Sequence, residues 1–167
     1  MEFDSLDDFI NVLEKSVLPK TVAVDKGALT EAADFLTKAA IGKFGSYQRK
    51  AGPFPAWKPL ADDTKIIRVK QGYSEDEPLL RTGETRDSVS NEVSDSEAVI
   101  GSTKQEMIYH ELGTKTEPPR PVFGPVAFES KKQVMKIIGS HMFNALINSD
   151  NKTKPIPDLS QYNMENK

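Results

Sequence analysis

Three stretches of the chain place apolar residues at helical spacing. Leu6, Phe9, Ile10 and Leu13 follow the capping pair Ser5 and Asp8, and predict a short amphipathic helix from about Ser5 to Val17, interrupted by Pro19. A one-sided helix of that length is weakly stable alone, so it needs a docking surface in its own domain or on a neighbouring subunit. A second stripe holds Ala28, Leu29, Ala32, Leu36, Ala39 and Ala40, helped by Phe35 and Phe44. It predicts a helix from about Thr21 to Phe44, stopped by Gly45, whose alanines suit close approach to a sheet or another helix. The third stripe, Val134, Ile138, His141 and Ala145 with Ile137, Met142 and Leu146 beside it, predicts a long helix from about Pro125 to Asn148. His141 falls on its apolar face, which predicts a hydrogen-bonded core histidine.

The pattern between the long helices is different. Gly52-Pro53-Phe54-Pro55-Ala56-Trp57-Lys58-Pro59 cannot be helical, because its prolines remove donors and fix φ. Asp62-Asp63-Thr64 predicts the cap of a short basic helix through Lys70, ended by Gly72. The segment 46–78 is longer than an ordinary connection, so it is either an arm that reaches a neighbour or a loop folded back over its own core. Thr82 can cap a short helix from Gly83 to Ser88. Alternation over Val89–Asp95 and Glu97–Ser102, around the polar turn Ser94-Asp95-Ser96-Glu97, predicts a β-hairpin. Gln105–Leu112 reads as one or two helical turns with Ile108 and Leu112 inward and Gly113 as the cap. Pro118–Pro125 is stiff and extended, and Pro125 suits the first turn of the helix that follows. The pattern therefore predicts an α+β fold: two long helices packed on a small antiparallel β-sheet, with an extended arm and a C-terminal tail. Its organisation is an N-terminal helical segment (1–20), a single α+β domain (21–148) with the arm at 46–78, and an extended tail (149–167).

Composition narrows the classes. Hydrophobic residues make up 37% and charged residues 28% of the 167, and the 11 prolines agree with a modest core plus extended segments. A net charge of -3 gives no sign of a tight nucleic-acid binder, which is normally basic. Charge is unevenly spread: residues 61–114 hold six Lys/Arg against twelve Asp/Glu, and residues 115–155 hold seven against three. Two solvated faces explain this, as does a self-complementary surface through which copies meet head to tail. With no cysteine, disulfides, thiolate zinc sites and cysteine nucleophiles are excluded. No signal-peptide pattern opens the sequence, and no run approaches the roughly 18 apolar residues of a membrane helix, so a soluble protein is expected, with no membrane partner.

The chemistry-bearing residues are sparse. There is no Gly-rich phosphate loop, nucleophile elbow or zinc-protease helix. His110 and Glu111 are adjacent, and on a helix they point about 100° apart, too far to grip one ion together. Glu75-Asp76-Glu77 and Asp62-Asp63 are carboxylate clusters in loop or cap contexts, where solvated charge is the common outcome. The sequence thus predicts no catalytic residue, no cofactor and no metal ligand. Its candidates are interface residues. Phe54 and Trp57 are expected to dock into a neighbouring subunit or adjoining ring. Arg120, held between Pro119 and Pro121, is expected to grip a carboxylate with its planar fork: Glu111 of the same chain, or Glu84 or Asp87 of a neighbour. Phe123 is expected to anchor the start of the last helix in apolar surroundings.

The ordered set Trp57-Lys58-Pro59-Leu60, Thr64, Leu80-Arg81-Thr82-Gly83, Ser88-Val89, Val99-Ile100-Gly101-Ser102, Tyr109-His110-Glu111-Leu112-Gly113-Thr114 and Pro119-Arg120-Pro121-Val122-Phe123 resembles the neck and tail-completion proteins of tailed bacteriophages, also called virion morphogenesis or head–tail connector proteins. The resemblance covers roughly Thr21 to Asn148. It departs from the family pattern at His110, where a small residue is usual, and at Val122, which intervenes in an Arg-Pro-Phe run. The resemblance implies a non-enzymatic structural virion protein, assembled in the host cytoplasm into a homo-oligomeric ring of the neck. Its implied partners are head-closure or adaptor proteins and tail-tube or tail-terminator proteins, with DNA passing through the lumen without sequence-specific binding. The alternatives are a metal-dependent nucleic-acid-processing enzyme and a generic adaptor module.

Overall fold

The computed structural model describes residues 25–150, with side chains to residue 145. The helix predicted over Ser5–Val17 and the tail beyond residue 150 lie outside the described residues. Residues 25–141 form one compact unit, and the last helix is assigned to Asp150. The elements are α1 (Lys26–Ile41), α2 (Asp62–Lys70), α3 (Glu84–Asp87), β1 (Val89–Val93), β2 (Ala98–Ser102), α4 (Glu106–Leu112) and α5 (Phe123–Asp150). This is a mixed α+β architecture with a small two-stranded antiparallel sheet and a long C-terminal helix. Among the described residues no helix is long and apolar enough to cross a membrane.

The hairpin register pairs Val89 with Ser102, Asn91 with Ile100 and Val93 with Ala98. Alternation puts these six residues on one face, and α1 packs against the hairpin. Ala28, Ala32, Ala33 and Ala40 are the buried positions of α1. Their small side chains let a helix backbone come close, as the alanine stripe predicts. Asn91 joins the layers by donating to Asp34 Oδ1 (3.1 Å) and Thr37 Oγ1 (2.9 Å) on α1. At the turn, Ser94 Oγ accepts from the N–H groups of Ser96 and Glu97, and Ser94 N donates to Glu97 O at 2.9 Å. Side-chain capping of this kind holds the tip in one shape.

The end of α1 tightens into three-residue turns through Phe44, and Gly45 (φ 83°) reverses the chain. Gly45 N–H then donates to Pro78 O at 2.9 Å, so segment 46–78 leaves and returns at one point. Within it, α2 ends in a Schellman motif: Gly72 N–H reaches Val69 O, Tyr73 N–H reaches Arg68 O, and Gly72 has φ 79°. The predicted stop at Gly72 is what the backbone does. The predicted side-chain cap at the start of α2 is absent; Ala61 flanks the helix and Asp62 and Asp63 instead place negative charge in its first turn.

The core joins Ala40 and Phe44 at the end of α1 with Trp57, Val89, Met107, Val122 and Val126. The first part of α5 runs antiparallel to α1, as cross-links at each end show. Lys43 Nζ pairs with Glu129 Oε2 at 2.7 Å, and His141 lies beside the start of α1, its Nε2 2.8 Å from Glu31 Oε2 and its Nδ1 3.5 Å from Asp25 Oδ2. His141 is therefore not the core histidine predicted from its stripe. It is partly exposed, because the two helices meet at their edges here and a carboxylate sits on either side of the ring.

The Glu31 hydrogen bond, with help from Asp25, raises the His141 pKa above the ordinary 6.5. The folded state then binds a proton more tightly than the unfolded chain. Its contribution is fully present below about pH 6.5 and is lost as pH rises through the raised folded value. Denaturant midpoints of the full chain should accordingly fall as pH rises above about 6.5. In His141→Gln that slope should flatten; an unchanged slope would mean another group carries it.

Candidate functional site

The segment 46–61 crosses the beginning of α5. Ala51 and Phe54 exchange two backbone hydrogen bonds, 3.1 and 2.9 Å, in a tight turn. The Phe54 ring lies so near Gly124 that a Cβ there would come within 2.4 Å of it, and the Phe128 ring covers Gly52 in the same way at 2.5 Å. Gly52 also has φ 54°, so glycine is required there for backbone shape as well as space. Trp57 is 5% exposed, its main-chain N–H donates to Gln48 O, and its indole Nε1–H donates to Pro121 O at 3.1 Å. The two aromatic rings expected to reach a neighbouring subunit are thus engaged within their own chain. The reason is mutual: the stiff Pro118–Pro125 loop offers an unpaired carbonyl and apolar walls, and the Trp57 N–H and ring match both.

Arg120 does not pair with Glu111, the same-chain partner expected for it. It is 8% exposed and grips no carboxylate among the described residues; its Nε and Nη2 donate to Lys58 O (3.3 and 3.1 Å) and Nη2 to Pro59 O (3.3 Å). The main-chain carbonyls of Lys58 and Pro59 take the donors that the Glu111 carboxylate was expected to take. Glu111 serves another purpose. One oxygen, Oε1, accepts from Val122 N–H (2.7 Å) and Phe123 N–H (2.6 Å), donors at the start of α5 that have no partner within the helix. Phe123 is half-buried against the core, the apolar setting expected for it. Arg120 N–H closes the loop by donating to His110 O at 2.7 Å.

These contacts form one wall of a groove of about 690 Å³. Its other walls come from α2, the turn at Leu79–Thr85 and α4. Arg68 lies in it at 7% exposure, donating from Nε to Ser74 O and from Nη2 to Leu80 O. Leu79, also in the groove, has φ 59°, an uncommon conformation for a bulky side chain. Across the groove Lys104 pairs with Glu84 at 3.0 Å. Burial pushes the His110 imidazole below 6.5 despite the nearby Glu117 carboxylate, so the ring is neutral at pH 7. On the outer side of the segment, Tyr47 donates to Asp76, and Lys65 sits 3.1 Å from the same carboxylate. The Tyr47 hydrogen bond, then that of Lys65, holds the Asp76 pKa below the usual range.

Sequence reasoning missed Glu111 as a helix cap, Arg68 as a buried cation and the Tyr47–Asp76–Lys65 cluster. The first had one usable signal, a carboxylate shortly before a helix start that lacks its own Ser, Thr, Asp or Asn cap. Among the described residues no group of three or more His, Asp and Glu side chains could hold a metal ion. No protein-family model, curated protein or solved structure matches the chain.

Proposed function

We propose that this chain is a structural subunit of a tailed-phage neck, forming a ring between head-side and tail-side proteins through which DNA passes. The observation that carries the assembly is a pair of exposed apolar surfaces on short helices. Ile66, Ile67 and Val69 of α2 are 52%, 52% and 55% exposed; Ile108 and Leu112 of α4, expected to face inward, are 55% and 76% exposed, and Met107 is the residue that helix buries. Apolar surface of this extent on two different elements supports contact between unlike faces of identical copies, and such head-to-tail contacts close into rings. The uneven charge of residues 61–114 and 115–155 favours the same geometry, and the ordered motifs from Trp57 to Phe123 supply the neck assignment. In this reading α1 and the early part of α5 form one helical layer over the hairpin, and head-closure, adaptor and tail-tube or terminator proteins stack on the ring's two ends. The acidic balance suits a conduit that should not retain phosphate.

Electron microscopy and sedimentation of the purified full chain test this. Rings or head-to-tail oligomers are expected, weakened by salt where rim charges contribute. Ile66→Glu with Ile67→Glu should leave the circular-dichroism spectrum intact and shift the mass to monomer. Isolated single copies in virions carrying this protein would sink the ring.

A further inference from the structure

Two arginines more than nine-tenths buried line the same groove, and neither has a carboxylate within ion-pair distance among the described residues. Arg68 and Arg120 each donate from Nε and Nη2 to main-chain carbonyls, and among the described residues neither Nη1 has a hydrogen-bond partner. Among the described residues no fully enclosed side-chain nitrogen lacks a partner, which fits Nη1 groups open to the groove. Asp76 feels Arg68 only as the weakest of its influences. A buried guanidinium is ordinarily matched by an anion, because carbonyl dipoles solvate the charge without cancelling it. The groove therefore holds unneutralised positive charge in a low-dielectric floor, where an arriving carboxylate is bound more strongly than on an open surface.

The walls restrict what that carboxylate belongs to. Lys58, Arg81 and Lys104 add three cations at the sides, and Glu84, Glu106 and Glu117 add three anions. Five cations against three carboxylates leave an excess of two. A nucleic-acid backbone, with a charge on every phosphate, would meet the glutamates as well as the arginines. A short peptide turn bearing two carboxylates balances the excess, and Leu60, Ile67 and Leu79 give it apolar wall to lie on.

We propose that the groove accepts the hairpin turn Ser94–Glu97 of a second copy of this chain, with Asp95 and Glu97 facing Arg68 and Arg120. The turn carries two carboxylates two residues apart, is exposed throughout, and is held in one shape by Ser94 Oγ, so little ordering opposes its insertion. Asp95 has one weak claim on it at home, Lys26 Nζ at 3.2 Å, with the aspartate side chain 94% exposed. Turn and groove are different surfaces, so the contact is head to tail and gives the neck ring a named subunit junction; this part rests on the ring reading.

The absence of cysteine makes the test direct. A nitroxide on full-chain Ser96→Cys is mixed with an unlabelled full chain carrying ¹⁵N-arginine, at millimolar concentration. Broadening of the Arg68 and Arg120 Nε–H resonances, assigned from Arg68→Lys and Arg120→Lys, is expected. Adding Asp95→Asn and Glu97→Gln to the labelled copy should weaken the effect at least about tenfold. No broadening, or broadening indifferent to those two substitutions, overturns the proposal. Equal displacement by acetate and by the peptide 93–98 would show an adventitious anion site only and overturn it too. Rings seen by microscopy without arginine broadening remove this junction and keep the neck reading. Broadening in mixtures that never close into rings keeps the junction and removes the ring.

Discussion

Trp57→Ala should destabilise the domain by about 3–5 kcal/mol, the usual cost of truncating a buried aromatic side chain. The ring is 5% exposed and belongs to the cluster that joins α1, the hairpin, α4 and the start of α5. Removing it also strands Pro121 O, whose partner is the indole N–H, inside the fold. A domain of this size has about 5–15 kcal/mol to lose, so the variant stands near the edge of unfolding at 37 °C. Urea denaturation of the full chain followed by circular dichroism checks it. Trp57→Phe keeps most of the volume without the donor and should cost clearly less. Phe54→Ala should also cost less than Trp57→Ala, because Phe54 is only half-buried against Gly124. A Trp57→Ala chain as stable as the parent but unable to assemble would return the ring to the intersubunit role that the sequence suggests.

That contrast marks where the sequence stops being informative. Helices and hairpin were legible because their signals are local: the alanine spacing of α1, the turn residues Ser94–Glu97, and Gly72 and Gly113 at helix ends with φ 79° and 74°. Proline content showed that Gly52–Pro59 is not helical. It could not show which way the segment turns, since that is decided by a hydrogen bond between residues 64 positions apart. Arg120 was recognisable as a pre-positioned fork, but its partners are the carbonyls of Lys58 and Pro59, and carbonyls are present at every residue and leave no mark in a sequence. His141 was misplaced for a related reason. Periodicity gives the face of a helix, and the edge of that face carries carboxylates contributed from 110 residues away. The groove has no signature at all, because Arg68, Arg81, Lys104 and Arg120 come from four separate elements or turns.

Glu111→Ala should cost about 2–3 kcal/mol, a large effect for a side chain that contributes little to the core. Its Oε1 takes both Val122 N–H and Phe123 N–H, and Val122 is fully buried. Water cannot readily replace the carboxylate at such a donor, so the loss includes the cost of an unsatisfied buried N–H. The carboxylate also opposes the positive end of the α5 dipole, which the alanine variant leaves uncompensated. Glu111→Gln keeps an acceptor oxygen of the same reach and loses the charge, so a loss of about 1 kcal/mol is expected. Glu117→Ala, an exposed carboxylate in the same loop, should change stability by no more than about 0.5 kcal/mol. Hydrogen exchange separates the cap from general destabilisation. In Glu111→Ala the Val122 and Phe123 amides should exchange faster relative to those of the hairpin, whose ladder bonds are untouched. Uniform acceleration across both regions would mean that Glu111 acts through the stability of the whole domain and not as the clasp between α4 and α5.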